Sequence, residues 1–134
     1  VAANPLVNSP EYTKYLENKG VKIVTLNTLR EYGIDKIITK ILQERNAEAI
    51  FWGFDLDSVR TMDAPGVSAP NPIGLSADEI CRIAYLAGKQ LNSKILEISE
   101  VNPKYDLDNR TSKLAAMIML YFLNAYDVKE ESTE

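Results

Sequence analysis

Histidine is absent from the 134-residue sequence, and its absence restricts the chemistry that the chain can carry by itself. Histidine is the most common general base near neutral pH and the most common protein ligand of transition metals. A metal site formed by this chain alone must therefore depend on oxygen ligands, chiefly carboxylates.

Cysteine occurs once, as Cys81, so the chain forms no internal disulfide. No histidine is available to activate this thiol, and we do not expect Cys81 to act as a nucleophile. The sequence also lacks a secretory signal pattern and an uninterrupted apolar run of about 18 residues. These absences predict a soluble protein of the reducing cytoplasm.

Clusters of lysine and arginine are missing as well, and the formal net charge is -4 with a pI near 4.9. Nucleic acids and anionic membranes are therefore not expected partners, which leaves a small molecule or another protein. Apolar residues make up 46% of the chain, enough for a core, and no linker or repeat divides it. We predict one domain over residues 1–134, with a frayed charged tail at 129–134.

Helix-capping residues and apolar spacing predict an alternation of helices and strands. Helices are predicted over 10–18, after an N-cap at Thr28, from Ser76 to Gly88, and around 114–125. Strands are predicted over 21–26, 49–54 and 94–101, and the second is apolar without alternation, as in a strand buried on both faces. This order predicts an α/β fold, a three-layer α-β-α arrangement with a doubly wound, mostly parallel sheet.

Two aspartates, Asp55 and Asp57, follow the second predicted strand directly. Residues i and i+2 of a strand point to the same side, about 6.6 Å apart along the chain. Two carboxylates so placed are able to bind one metal ion, or a pair of ions about 3.5 to 4 Å apart. The alternative is a turn or a helix cap; Asp63 and the Pro/Gly-rich stretch 64–74 that follow favour the metal site.

Glu100 begins the sequence E-V-N-P at the end of the third predicted strand, so it should lie at the same sheet edge as the aspartates. A carboxylate there is able to accept paired hydrogen bonds from a planar guanidinium or amidinium group. The alternative is a simply solvated glutamate.

The segment FDLDSVRTMDAPGVSAPNPIGLSADE, followed by ISEVNP, resembles the ureohydrolase superfamily of arginases, agmatinases and formimidoylglutamases. The shared elements are a strand ending in D-x-D, a downstream Asp and Pro-Gly, a Gly-Leu before a helix, and E-V-N-P. The stretch DSVRTMDAPG is most similar to the formimidoylglutamase-like branch. The resemblance implies an arginase-like fold, of which this chain is the C-terminal half, and a homo-oligomer.

The resemblance further implies two manganese ions, bridged by Asp55, with Asp57 as a ligand of one of them. Glu100 would anchor the guanidino or amidino group of the substrate, so Asp55 and Glu100 would be the catalytic residues. The implied reaction is hydrolysis of a carbon-nitrogen bond by a metal-activated hydroxide. The family's histidine ligands belong to the N-terminal half, which we expect as a further partner.

Two other interpretations stay open from the sequence. FDLDSV also fits the first motif of haloacid-dehalogenase-like phosphatases, although the later acidic pair of that family is missing. The chain is alternatively a non-catalytic ureohydrolase-like fragment or a pseudoenzyme, as the absence of histidine suggests.

Overall fold

The structure is a computed structural model that describes residues 9–44 and 47–131, with side chains described up to residue 127. Three helices come first in these ranges, and strands and helices alternate after them. They are α1 (Pro10–Asn18), α2 (Leu26–Tyr32), α3 (Ile34–Glu44), β1 (Ile50–Asp55), α4 (Ala77–Gly88), β2 (Ser93–Ser99) and α5 (Arg110–Glu131). Short 3-10 turns cover Leu56–Ser58, Pro103–Tyr105 and Leu107–Asn109.

The two strands pair in parallel, with Phe51 opposite Ile95 and Asp55 opposite Ser99. Helix α4 forms the crossover between them, which confirms the predicted α/β class and the parallel pairing. Because both strands end at the same edge of the sheet, the residues that follow Asp55 and Ser99 are brought close together.

The predicted burial of β1 on both faces is wrong for the described residues. Trp52 and Phe54 lie on the face that packs against the core, whereas Phe51 and Ile95 on the other face are 55% and 56% exposed. Side chains alternate across a strand, so helices on one side cover only every second residue. The helical layer expected on the open face is not among the described residues.

The strand predicted over 21–26 is also wrong, because Leu26 already belongs to α2 and residues 21–24 form neither helix nor strand. The N-cap of α2 is Thr25, whose side chain accepts a hydrogen bond of 3.1 Å from the Thr28 N–H. Thr28 itself therefore lies inside the helix and is not its N-cap. Leu26 and Leu29, three positions apart, are both buried, so helical burial and the cap outweigh the β-propensity of the segment.

Gly33 divides the second predicted helix into α2 and α3. Its φ of 86°, with a ψ of 140°, is a backbone conformation that glycine adopts readily and that L-residues with a side chain rarely adopt. The apolar face predicted from the isoleucines is nevertheless present on α3. Ile38 is buried, and three further isoleucines pack against the core: Ile34, Ile37 and Ile41.

Helices α4 and α5 pack against each other and supply eight of the 18 buried residues of the core cluster. The predicted capping box of α4 is confirmed: Ser76 accepts from the Glu79 N–H, and the Glu79 side chain accepts from the Ser76 N–H. Helix α5 buries its residues at intervals of three and four: Leu114, Ile118, Phe122 and Ala125.

Helix α5 includes the first three residues of the predicted tail, and 132–134 lie outside the described residues. Among the described helices, none is both long and apolar enough to cross a membrane.

Two ion pairs connect helices α2 and α3 to α4. Arg30 donates to both carboxylate oxygens of Glu79, at 2.9 and 3.0 Å, and Arg82 pairs with Asp35. The Arg30 hydrogen bond holds the pKa of Glu79 below its usual value. Both pairs are partly solvent-exposed, so each stabilises the fold by at most about 1 kcal/mol.

Candidate active site at the carboxyl edge of the sheet

Asp55 is the last residue of β1, and its side chain organises the turn that follows. Its Oδ1 accepts a hydrogen bond of 2.8 Å from the Asp57 N–H, and its backbone carbonyl accepts one of 2.6 Å from the Ser58 hydroxyl. The 3-10 turn Leu56–Ser58 therefore begins with Asp55 as its N-cap. The turn-forming role, which is the alternative to metal binding, is present, and it occupies one carboxylate oxygen.

Asp57 does not lie in the strand, so the strand spacing used to predict its convergence with Asp55 does not apply. It belongs to the 3-10 turn, because the extended conformation ends at Asp55, whose side chain caps that turn. Its carboxylate faces the Pro/Gly-rich loop: Oδ1 accepts from the Ala69 N–H at 3.1 Å, and Oδ2 lies 3.3 Å from the Ser68 hydroxyl.

Glu100 comes directly after β2 and lies at the same edge as Asp57. The Ser68 hydroxyl is 2.5 Å from Oε2 of Glu100, so one serine contacts a carboxylate from each strand end. The backbone of Glu100 has a φ of 68°, in the left-handed region that few non-glycine residues adopt. Backbone strain of this kind occurs preferentially at functional sites.

The loop that carries Ser68 is tied to the chain that follows Glu100. The Gly66 carbonyl accepts a hydrogen bond of 2.8 Å from the Asn102 N–H, and the Gly66 N–H donates one of 2.7 Å to the buried Thr111 hydroxyl. A Cβ on Gly66 would lie 2.6 Å from the Cα of Asp106, so only glycine allows this close approach. The position of Ser68 thus depends on contacts between its own loop and residues 102–111, which are far from Ser68 in sequence.

Asp63 does not join this group, although it follows the D-x-D sequence closely. Its Oδ2 accepts from Arg60 at 2.7 Å and from the Ala77 N–H at 2.9 Å, so it stabilises the start of α4. Cys81 is buried on α4, and burial raises the pKa of its thiol, which agrees with the expectation that it is not a nucleophile.

The described residues do not by themselves form a metal site. In residues 9–44 and 47–131, no three or more His, Cys, Asp and Glu side chains are grouped so as to hold a metal ion. Asp55 and Asp57 supply carboxylate oxygens, which suit manganese and other hard divalent cations. The donor set therefore fits the ion chemically, and an ion held here would need further ligands from outside the described residues.

Ser68 and the Ala69 N–H were not predicted as part of the site. Ser68 belongs to the stretch 64–74, which the sequence marks only as irregular. A serine in such a loop carries no signal of its own, because its contacts depend on how the Pro-Gly turn folds back over the strand ends.

A separate groove of about 410 Å³ lies between residues 22–24 and helix α3. Its lining includes Lys22, Lys36 and Lys40, and none of the residues Asp55, Asp57, Ser68 or Glu100. This groove is therefore not the candidate site.

Comparison with known proteins identifies the family. The family model described as "Arginase family" matches residues 6–124. The chain belongs to the arginase family. The phosphatase interpretation of FDLDSV therefore has no further support.

Known relatives of this arginase-family chain include a formimidoylglutamase of Bacillus subtilis, 34% identical over 118 residues, which covers 87% of the chain and 37% of the relative. A formimidoylglutamase of Halalkalibacterium halodurans is 29% identical over 126 residues, covering 91% of the chain and 39% of the relative. An arginase of B. subtilis is 32% identical over 110 residues, covering 79% of the chain and 36% of that protein. The chain thus spans less than two fifths of the length of these curated relatives.

Solved structures confirm the arginase-like fold. The crystal structure of the B. subtilis formimidoylglutamase superposes with a TM-score of 0.91 at 31% identity, over 96% of this chain and 41% of that one. A Trypanosoma cruzi formiminoglutamase, solved with Mn²⁺ at pH 8.5, gives a TM-score of 0.86 at 26% identity, over 93% and 43% of the two chains. The match covers nearly all of this chain and under half of each neighbour.

Proposed function

We propose that this chain is the C-terminal part of a manganese-dependent ureohydrolase that hydrolyses a carbon-nitrogen bond of an amidino or guanidino group. One observation carries the proposal: Asp57 and Glu100, from the ends of two adjacent parallel strands, meet at the hydroxyl of Ser68. A candidate metal ligand and a candidate substrate anchor thereby share one edge of the sheet, where ligands of open α/β sheets bind.

In this proposal, Asp55 and Asp57 hold manganese through their carboxylates. Bound manganese supplies a nucleophile at neutral pH, because a divalent cation lowers the pKa of the water that it holds. Oδ1 of each aspartate already accepts a backbone N–H, from Asp57 and from Ala69 respectively. These hydrogen bonds orient the two carboxylates before any ion binds.

Glu100 is proposed to receive the substrate. An amidinium is planar and positively charged, and it presents two N–H donors to a carboxylate in a charge-assisted pair. Because Glu100 is exposed at the sheet edge, its carboxylate is accessible to such a group. Orientation of this kind contributes to the rate by placing the amidino carbon for attack.

Formimidoylglutamate is the first substrate to test, because the formimidoylglutamases named above cover most of this chain at 29% and 34% identity. Hydrolysis would consume one water and release glutamate and formamide. Arginine and agmatine complete the panel, since hydrolysis of either releases urea.

The proposal requires further metal ligands, which we assign to an N-terminal segment that completes the domain. The open sheet face supports this assignment, since it exposes Phe51 and Ile95. So does α5, whose outer side exposes Met119, Leu120 and Leu123 although its inner side is fully packed. Apolar surface of this extent is normally covered in a finished domain. Homo-oligomerisation stays a prediction.

The test compares two proteins: the chain alone, and the complete domain, by which we mean this chain joined to that histidine-bearing N-terminal segment. Calorimetric titration measures manganese binding, and the substrate panel is assayed for formamide and urea. We expect the chain alone to bind manganese weakly and to be inactive, and the complete domain to bind tightly and to turn over one substrate. A complete domain that binds manganese but hydrolyses none of the three would favour the non-catalytic alternative. An isolated chain that is active by itself would contradict the proposed division of the site.

A further inference from the structure

Ser68 contacts two of the three carboxylates that the proposed function assigns to this edge. Its hydroxyl oxygen is 2.5 Å from Oε2 of Glu100 and 3.3 Å from Oδ2 of Asp57. A serine hydroxyl carries a single proton, so it donates to one carboxylate at a time. The shorter distance is the one typical of a strong bond to an ionised acceptor, and the proton therefore goes to Glu100.

Asp57 does not depend on this proton. Its Oδ1 accepts the Ala69 N–H at 3.1 Å, a backbone contact that does not require the Ser68 side chain. Loss of the Ser68 hydroxyl should therefore leave the orientation of Asp57 largely intact and release only Glu100.

The Glu100 side chain has little other restraint. It is exposed, and Ser68 is the side chain that holds its carboxylate among the described residues. A free glutamate side chain samples many rotamers, and binding a ligand in one of them has an entropic cost. With Oε2 held by Ser68, the remaining lone pairs of the carboxylate face a fixed direction.

We propose that Ser68 is a positioning residue that orients the Glu100 carboxylate to receive the amidino or guanidino group of the substrate. This inference rests on the proposed function and adds to it a residue outside the metal ligands. The restraint applies to bound substrate and transition state alike, so its loss should appear mainly in KM.

The experiment uses the complete domain with the substrate that it turns over, and the variants Ser68→Ala, Ser68→Thr and Glu100→Gln. Ser68→Ala should lower kcat/KM by about 10- to 100-fold, the loss typical of a hydrogen bond to a charged group, mainly through a higher KM. Ser68→Thr keeps the hydroxyl and should stay within about threefold of the parent. Manganese affinity, measured by calorimetry, should change less than about threefold in Ser68→Ala.

A double-mutant cycle tests whether Ser68 acts through Glu100. Ser68→Ala introduced into the Glu100→Gln background should cause little further loss, because the charged acceptor is already gone. Full additivity would overturn the inference, and so would a fall in manganese affinity as large as the fall in kcat/KM. Crystals of the parent and of Ser68→Ala give a readout without turnover: Glu100 should be ordered against Ser68 in the first and change rotamer in the second.

The two proposals fail in different ways. A parent that hydrolyses no member of the panel overturns the proposed function, and with it any part for Ser68 in catalysis. An active parent with an unaffected Ser68→Ala variant overturns the positioning role alone.

Discussion

The backbone N–H of Gly66 donates a hydrogen bond of 2.7 Å to the hydroxyl of Thr111, a residue with no solvent exposure. This bond joins the Pro-Gly turn to the first turn of α5, and Ser68 follows the turn two residues later. The geometry of the candidate site therefore depends on a contact outside the site.

Replacing Thr111 by valine should destabilise the fold, because the isosteric side chain leaves the buried Gly66 N–H without its acceptor. We expect a loss of about 1–3 kcal/mol in the free energy of unfolding, measured by urea denaturation of the complete domain. Thr111→Ser is the matched control, since it keeps the hydroxyl and loses only a methyl group. Equal losses in the two variants would show that packing, and not the hydrogen bond, makes Thr111 important.

Glu100→Gly should yield a more stable protein than Glu100→Ala, because glycine adopts the observed φ of 68° without steric cost. The expected difference is about 1 kcal/mol in the free energy of unfolding. Glu97, in the middle of β2, is the control position, and there alanine should be more stable than glycine by about 0.5–1 kcal/mol. The same order at both positions would contradict a left-handed backbone at Glu100.

Asp55→Asn and Asp57→Asn should each reduce the manganese content of the complete domain sharply. An amide replaces a negatively charged ligand with a neutral and weaker one. Metal analysis after dialysis provides the measurement, and Asp78→Asn, an exposed aspartate on α4, serves as the control. Unchanged stoichiometry in both variants would refute the assignment of these residues as ligands.

Glu100→Gln should spare manganese and weaken catalysis. The charge-assisted contact to an amidinium becomes a neutral one, and we expect kcat/KM to fall by an amount equivalent to about 2–4 kcal/mol. Steady-state kinetics and calorimetry on the same preparation separate the two effects. If the kinetics match the parent while manganese is bound, Glu100 does not contact the substrate.

Asp106 should contribute stability that depends on pH. Partial burial alone would raise the pKa of its carboxyl, but hydrogen bonds from the Ser112 hydroxyl and from the N–H groups of Ser112 and Thr111 outweigh it and lower this pKa to about 2. The folded pKa lies below the unfolded value of about 3.9, so the stabilisation is complete well above pH 4 and is lost as the pH falls towards 2.

Denaturation of Asp106→Asn and the parent at several pH values measures this effect. The parent should be more stable by about 1 kcal/mol at pH 7, and the difference should shrink as the pH approaches about 2. Asp108→Asn, at an exposed position in the neighbouring turn, should show little difference at any pH. If the difference in the free energy of unfolding between Asp106→Asn and the parent does not vary with pH, the charge of Asp106 does not contribute to stability.

The sequence by itself determined the elements whose stabilising contacts are local. Helix α1 spans the predicted residues 10–18, and the capping box of α4 joins Ser76 to a residue three positions away. The motifs D-x-D and E-V-N-P at strand ends also predicted the family, which comparison with known proteins confirmed. Short-range patterns of this kind are readable because the partner groups are neighbours in the chain.

Tertiary contacts decided the rest. The segment 21–26 has the composition of a strand, yet burial of Leu26 and Leu29 in the core makes its end helical. Ser68 reaches both carboxylates only because Gly66 approaches Asp106 closely and bonds to Thr111. These contacts join residues far apart in the chain, and no local pattern specifies which of them will meet.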